Sequence, residues 1–196
     1  MTLKRRDEAD GGVVPMPVPY DPRWPAIFDV ERIRLEAALR DWLTGGIHHV
    51  GSTAVPGIPA KPVIDMVAGV GDLSDADSAG PALVRLGYTR AVHRVDAALF
   101  NKSTGGVHTY HLHLTVPGSE LWRERLAFRD ALRADRALVA EYAELKHRLV
   151  AETGGGPYSA AGKRDFVRGV LASAGVELVD GLYAERNAES GPSLSR

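Results

Sequence analysis

Between Pro22 and Gly46 the apolar residues Trp24, Phe28, Leu35, Leu39 and Trp42 recur at helical spacing, with Glu31, Arg32, Arg34, Arg40 and Asp41 on the remaining positions. That spacing predicts an amphipathic helix, ended by Gly45-Gly46, whose apolar stripe covers a sheet. The period then changes. Ile47 to Val50 and Pro62 to Val70 are short apolar runs that read as strands, the second interrupted by one acid, Asp65. Asp72 to Leu86 opens on an Asp/Ser cluster suited to N-capping and stops at Gly87, which predicts a second helix with Gly80-Pro81 near its middle. Tyr88 to His93, Ala97 to Lys102 and Thr109 to Val116 read as three further strands, and Ser103 to Val107 as a glycine-bearing turn. After Pro117 the pattern is helical over Ser119 to Arg133, Asp135 to Thr153 and Ser159 to Ala174. Strands followed by helices predict an α+β domain with a helical C-terminal cap, over residues 15–175. The charged residues 1–14 are expected to be a disordered tail, and 176–196, where the pattern fades, a flexible one.

Composition narrows the function classes. The chain has 196 residues, 44% hydrophobic and 25% charged, which suits one globular core. A formal charge of −1 supplies no overall field for nucleic acid or an anionic membrane, so anion recognition has to be local. With no cysteine, disulfides, thiolate metal sites and cysteine nucleophiles are excluded. No apolar run approaches the roughly 18–20 residues a bilayer requires, and the first residues lack the apolar segment of a signal peptide, so a cytoplasmic location is expected.

Candidate chemistry begins at Gly51-Ser52, where a strand ends in a loop running to Lys61 and Pro62. A glycine-serine turn lets amides and a hydroxyl face one point, as a phosphate requires, and Lys61 can bring a charge to it. Glycines and prolines also make ordinary turns, and the dipeptide alone does not separate the two. Asp65 adds weight, because a carboxylate in an apolar strand is costly unless it is paired or metal-bound. It can hold Mg²⁺ through oxygen, or it can be salt-bridged to a lysine or arginine, or reach water at a strand end.

The run His49-Val50-Gly51-Ser52-Thr53-Ala54-Val55-Pro56-Gly57-Ile58-Pro59-Ala60-Lys61-Pro62-Val63-Ile64-Asp65 resembles the signature of the GrpB family, within the nucleotidyltransferase-like superfamily. Trp24-Pro25, Tyr110-His111-Leu112-His113, Trp122, Phe128-Arg129-Asp130, Tyr142 with Leu145-Lys146, and Tyr158 with Lys163 and Phe166 extend the resemblance over residues 18–174. The resemblance implies a mixed β-sheet flanked by helices, a Gly-Ser that grips a triphosphate, and two acids, one residue apart on the next strand, that hold two Mg²⁺ ions. Here the second of those positions is Val67, so the usual two-metal site is incomplete.

In the superfamily a later strand supplies a third acid, and in this chain that region carries His111 and His113. Two apart in a strand, these project from one face, with His108 placed beside them. The resemblance therefore implies an Asp65, His111 and His113 group that binds a divalent metal, Mg²⁺ first, with Mn²⁺ or Zn²⁺ as alternatives, or that moves a proton beside a phosphate. His49, adjoining the loop, and Lys61, Lys102, Arg129, Lys146 and Lys163 are the candidate phosphate contacts. For Arg129 a salt bridge to Asp130 is equally open, and for Lys163 plain solvation at a helix start. Three functions follow: a transferase passing a nucleotidyl or phosphoryl group to a small acceptor, a non-catalytic nucleotide-binding module, or a metal-dependent enzyme of another class.

Overall fold

The computed structural model describes residues 5–6, 13–152 and 161–179. Short strands β1 (Arg5–Arg6) and β2 (Val13–Val14) precede helix α1 (Trp24–Leu39) and strands β3 (Leu43–Val50) and β4 (Ile64–Val70). Helix α2 (Asp75–Arg85) leads into the meander β5 (Tyr88–Arg94), β6 (Ala97–Thr104) and β7 (Val107–Thr115). Helices α3 (Glu120–Ala134), α4 (Arg136–Glu152) and α5 (Arg164–Ser173) follow. The α+β class, the mixed sheet and the helical cap are as the sequence predicts. Residues 176–179 carry no helix or strand; the remaining tail residues, with Tyr158 and Ser159, lie outside the described residues.

In the sheet, β4 and β7 run side by side in parallel, while β3, β6 and β5 each lie antiparallel to a neighbour. One face carries α1 and α2 over Ile64, Met66, Ala68, Phe100, Leu112 and Leu114, all at most 2% exposed. The other face meets α3 through Val50, Val67, Ala97 and Leu121. A third cluster, Val55, Ile58, Leu132 and Tyr142, with Phe128 and Phe166 against it, joins the helical cap to the loop after β3. Burying side chains of this size contributes roughly 1.5–3 kcal/mol each, so the cap holds that loop firmly.

Two local expectations change. Gly45-Gly46 does not end α1, which stops at Leu39, but lies inside β3. A side chain at Gly45 would meet Pro117 Cγ at 2.7 Å and the Trp122 ring at 2.9 Å, so this glycine makes room for those two side chains against the strand rather than stopping a helix. Glu31 was expected on the polar side of α1 and is instead fully buried. Positions 24, 28, 31, 35 and 39 form one helical stripe, and Glu31 sits on it, accepting from Lys102 Nζ at 2.6 Å and from the Tyr88 hydroxyl at 3.0 Å.

Candidate functional site

Strand β3 ends at Val50, beside Asp65 of β4, and the chain turns away through Gly51 at φ +69°. A Cβ on Gly51 would stand 2.5 Å from Asp65 Oδ2 and 3.1 Å from its Cγ, so the loop backbone is pressed against the carboxylate as only glycine permits. On the other side of β4, parallel pairing puts His111 level with Asp65, and His111 Nδ1–H donates to Asp65 Oδ1 at 2.9 Å. Both side chains are partly open, at 29% and 34% exposure. Burial would raise the Asp65 pKa, but the hydrogen bond and charge of His111, with Arg125 and Lys163, outweigh it and hold the carboxyl below its usual value.

Ser52 follows at the start of a single 3-10 turn, Ser52–Ala54. Its hydroxyl is met by Lys146 Nζ at 2.6 Å, and the same amine donates to the Pro59 carbonyl at 2.9 Å. Lys146 projects from α4, is 3% exposed, and lies 4.6 Å from the centre of the Tyr142 ring one turn earlier. Burial above all, with the charges of Lys163 and Lys61, lowers its pKa to about 6 despite the opposing pull of Asp65. Tyr142 is pushed the other way, to about 12, by burial, with its bond to the Ser52 side chain working against the rise.

A linkage follows. Between about pH 6 and its usual value of 10.5, Lys146 is protonated in the unfolded chain and neutral in the fold, so stability rises with pH across that window. Lys146→Met removes this dependence: the variant gains stability relative to the parent as pH falls from 9 to 7, which urea unfolding at the two values checks. A difference between the two proteins that stays constant over that range would contradict a neutral Lys146.

Thus Gly51, Ser52, Asp65, His111, Lys61, Lys146 and Lys163 come together, as the sequence suggests. Four other candidates are placed elsewhere. Lys102 is on the α1 face of β6, paired with buried Glu31, because its partner in β7 is Tyr110 rather than His111. His49 also points to the α1 face, stacked 4.8 Å from Phe28. Its Nε2 meets Thr53 Oγ1 at 3.0 Å, and Thr53 donates to the Val63 carbonyl, so the imidazole is the donor in that bond. Burial lowers its pKa to about 4, which makes it a neutral prop under the loop and not a cationic phosphate contact. Arg129 lies behind the loop, bonded to Asp130 at 2.7 Å and to the His49 carbonyl at 3.2 Å.

His113 stands level with Val67, 5% exposed, one row below the Asp65–His111 pair. Among the described residues no three His, Cys, Asp or Glu side chains come together as a metal group, so the expected Asp65, His111 and His113 trio is not assembled. His108 does share the face of His111, with ring centres 5.5 Å apart. Simple alternation would separate them, and the bulge opposite Lys102 and Ser103 restores the match.

Arg125, which acts on Asp65 and Tyr142, and Asn101, level with His111 on β6, are not among the residues the sequence pattern singles out. Arg125, Arg129 and Arg133 are spaced four apart on α3, a signal that could have brought Arg125 into view.

Comparison with known proteins agrees with this architecture. The family described as GrpB protein matches residues 16–173. A UPF0157 protein of Halalkalibacterium halodurans is 37% identical over 130 residues, 66% of this chain and 66% of its own length. A UPF0157 protein of Deinococcus radiodurans is 35% identical over 152 residues, 78% of each chain. The crystal structure of conserved protein GrpB from Enterococcus faecalis is 25% identical, with a TM-score of 0.70 over 81% of this chain and 96% of that one. Among the described residues no helix is long and apolar enough to cross a membrane.

Proposed function

The chain belongs to the GrpB family, matched over residues 16–173, and on that premise we propose that it binds a nucleoside triphosphate or another phosphorylated ligand and passes a nucleotidyl or phosphoryl group to a small acceptor. The observation that carries this reading is the setting of Ser52 and Asp65: Lys146 meets the Ser52 hydroxyl, Lys61 and Lys163 lie near enough to act on Lys146, and Lys163 and Arg125 near enough to act on the carboxylate. Lys61, Lys163 and Arg125 set positive charge around this point, and an anionic ligand offsets it. The ligand class therefore follows from charge: several phosphate oxygens, or an equivalent set of acceptors, set between the Gly51-Ser52 turn and the lysines.

The donor set fits one divalent ion and not two. Asp65 offers a carboxylate with one oxygen engaged by His111, Val67 occupies the position of the second acid, and no three-ligand group forms among the described residues. Mg²⁺ is suited to such a site, because it is commonly held by one or two carboxylates plus the phosphates of the substrate. When bound, the ion would neutralise phosphate charge. The chain's own residues do the rest: Ser52, Lys61 and Lys163 orient the phosphates, and Asp65 fixes the His111 ring with Nδ1–H inward and Nε2 outward, toward an acceptor hydroxyl.

Thermal unfolding with ATP, CTP, GTP and UTP, each with Mg²⁺, Mn²⁺ or Zn²⁺, tests this. A ligand present at about 100 times its Kd adds about 2.7 kcal/mol, a rise in Tm of roughly 5–11 °C for a domain of this size. Asp65→Asn is expected to weaken binding at least tenfold, about 1.4 kcal/mol, in the presence of the metal. If no nucleotide with any of the three metals stabilises the protein, or if Asp65→Asn binds as tightly as the parent, the proposal fails.

A non-catalytic nucleotide-binding module is the second reading, favoured by the separation of His113 from Asp65. Turnover assays with the nucleotide that stabilises the protein separate the two.

A further inference from the structure

We infer that Ser52 is a covalent nucleophile, activated by Lys146, that takes up a phosphoryl group from the bound ligand before it is handed to the acceptor. The proposal rests on the phosphate-binding reading for its substrate class and on geometry for the reactivity of the serine.

A lysine whose task is only to hold phosphate works best charged and open to its ligand. Lys146 is neither. It is 3% exposed, and among the described residues its amine meets a hydroxyl, a carbonyl and a ring face but no carboxylate. The groups that face it are Ser52 and Pro59 from the loop, Tyr142 from its own helix, and the charges of Lys61, Lys163 and Asp65. Two of those three charges are positive, and together with burial they favour the neutral amine at pH 7. A neutral amine has hydrogens to donate and one lone pair. The amine donates to the Pro59 carbonyl and to Ser52 Oγ, and rotation about the Cε–Nζ bond turns the lone pair of the neutral amine to the hydroxyl, whose proton it can accept across the 2.6 Å contact. Serine with lysine as its base is a known alternative to serine with histidine.

The same arrangement compensates for Val67. A site with two carboxylates can use a second metal to activate the acceptor, and this chain has one carboxylate there. A nucleophile supplied by the protein removes that need in the first half of the reaction. Ser52 Oγ bonds to the terminal phosphorus of the triphosphate, the bond from that phosphorus to the bridging oxygen breaks, and a nucleoside diphosphate leaves. The serine proton passes to Lys146 Nζ, and the new ammonium lies beside the phosphate whose charge it offsets. In the second half the acceptor hydroxyl oxygen bonds to the phosphorus as the bond from phosphorus to Ser52 Oγ breaks; the acceptor's proton passes to His111 Nε2, and Lys146 returns its proton to Ser52 Oγ. No oxidant or reductant takes part.

A fluorophosphonate probe tests the dyad without any nucleotide: Ser52 Oγ bonds to phosphorus, fluoride leaves, and Lys146 takes the proton. Intact mass and peptide mapping of the full chain are expected to find one adduct, on Ser52, absent in Ser52→Ala. Labelling of Lys146→Met should be slower by about 100-fold, the low end for loss of a general base. In the parent protein the rate should rise with pH through about 6 and then level, a profile that does not depend on any variant folding. The inference is overturned if folded parent at pH 8 gives no Ser52 adduct, if Lys146→Met labels within twofold of the parent, or if the rate has no pH step below 8. Nucleotide stabilisation without labelling removes the dyad and leaves the binding proposal standing. Labelling without nucleotide stabilisation does the reverse, since the nucleophile then serves some other electrophile.

Discussion

Gly51→Ala lowers the melting temperature by about 5–10 °C and removes stabilisation by nucleotide, both read in one thermal-shift series. The residue stands at φ +69° and ψ −169°, a region open essentially to glycine alone, and holding another residue there costs on the order of 1–3 kcal/mol. The added methyl also collides with Asp65 Oδ2 at 2.5 Å. Relief requires either the loop or the carboxylate to move. The cap packs the loop in place through Val55 and Ile58, so the carboxylate is the more mobile party, and its bond to His111 is lost. At roughly 2–4 °C per kcal/mol for a chain of this length, strain and collision together give the stated fall. A Gly51→Ala protein that melts within 2 °C of the parent and still responds to nucleotide would show that the loop does not need this approach.

Lys102→Met has the opposite signature: a large loss of stability, about 3 kcal/mol by denaturant unfolding, with the nucleotide-induced rise in Tm unchanged. Glu31 is fully buried, and Lys102 is its shortest contact. Removing one member of a buried pair leaves a charge without adequate compensation, which costs about 3–5 kcal/mol, the lower end applying where hydrogen bonds remain. Here the Tyr88 hydroxyl remains at 3.0 Å and Arg34 at 3.4 Å. Lys102 looked like a phosphate contact from its charge and its neighbourhood in the chain. Loss of nucleotide stabilisation in Lys102→Met, with the fold intact, would restore it to that role.

The contrast between Lys102 and Lys146 explains how far the site could be read from residues alone. Asp65 announced itself, because one acid in an apolar run is anomalous without any knowledge of its neighbours. Gly51 and Ser52 were legible through their position at a strand end, and Lys146 through its place in the family pattern. What could not be read was the face each side chain takes. Strand parity decides that, and a shift of one residue reverses it. His49 and Asp65 belong to adjacent strands, yet the register that sets Val50 beside Asp65 sends His49 to the opposite face. The same rule held the other way for His108, where a bulge undid the parity that alternation implies. Glu31 was misread for a different reason: its charge placed it outside, whereas its spacing placed it on the buried stripe. Burial of Lys146 was invisible too, because it depends on a cap that docks across the loop rather than on anything within α4.

That docking also sets an order in time. Asp65 and His111 are 46 positions apart, and Ser52 and Lys146 are 94 apart, so neither contact can nucleate locally. Closing such long loops comes late in folding, after hairpins such as β5–β6 and β6–β7 have formed. A nascent chain therefore acquires its sheet edge before it acquires its reactive serine, and the hydroxyl meets its amine only once α4 has emerged and packed. On the covalent proposal, no partly made copy of the protein holds the completed Ser52–Lys146 pair.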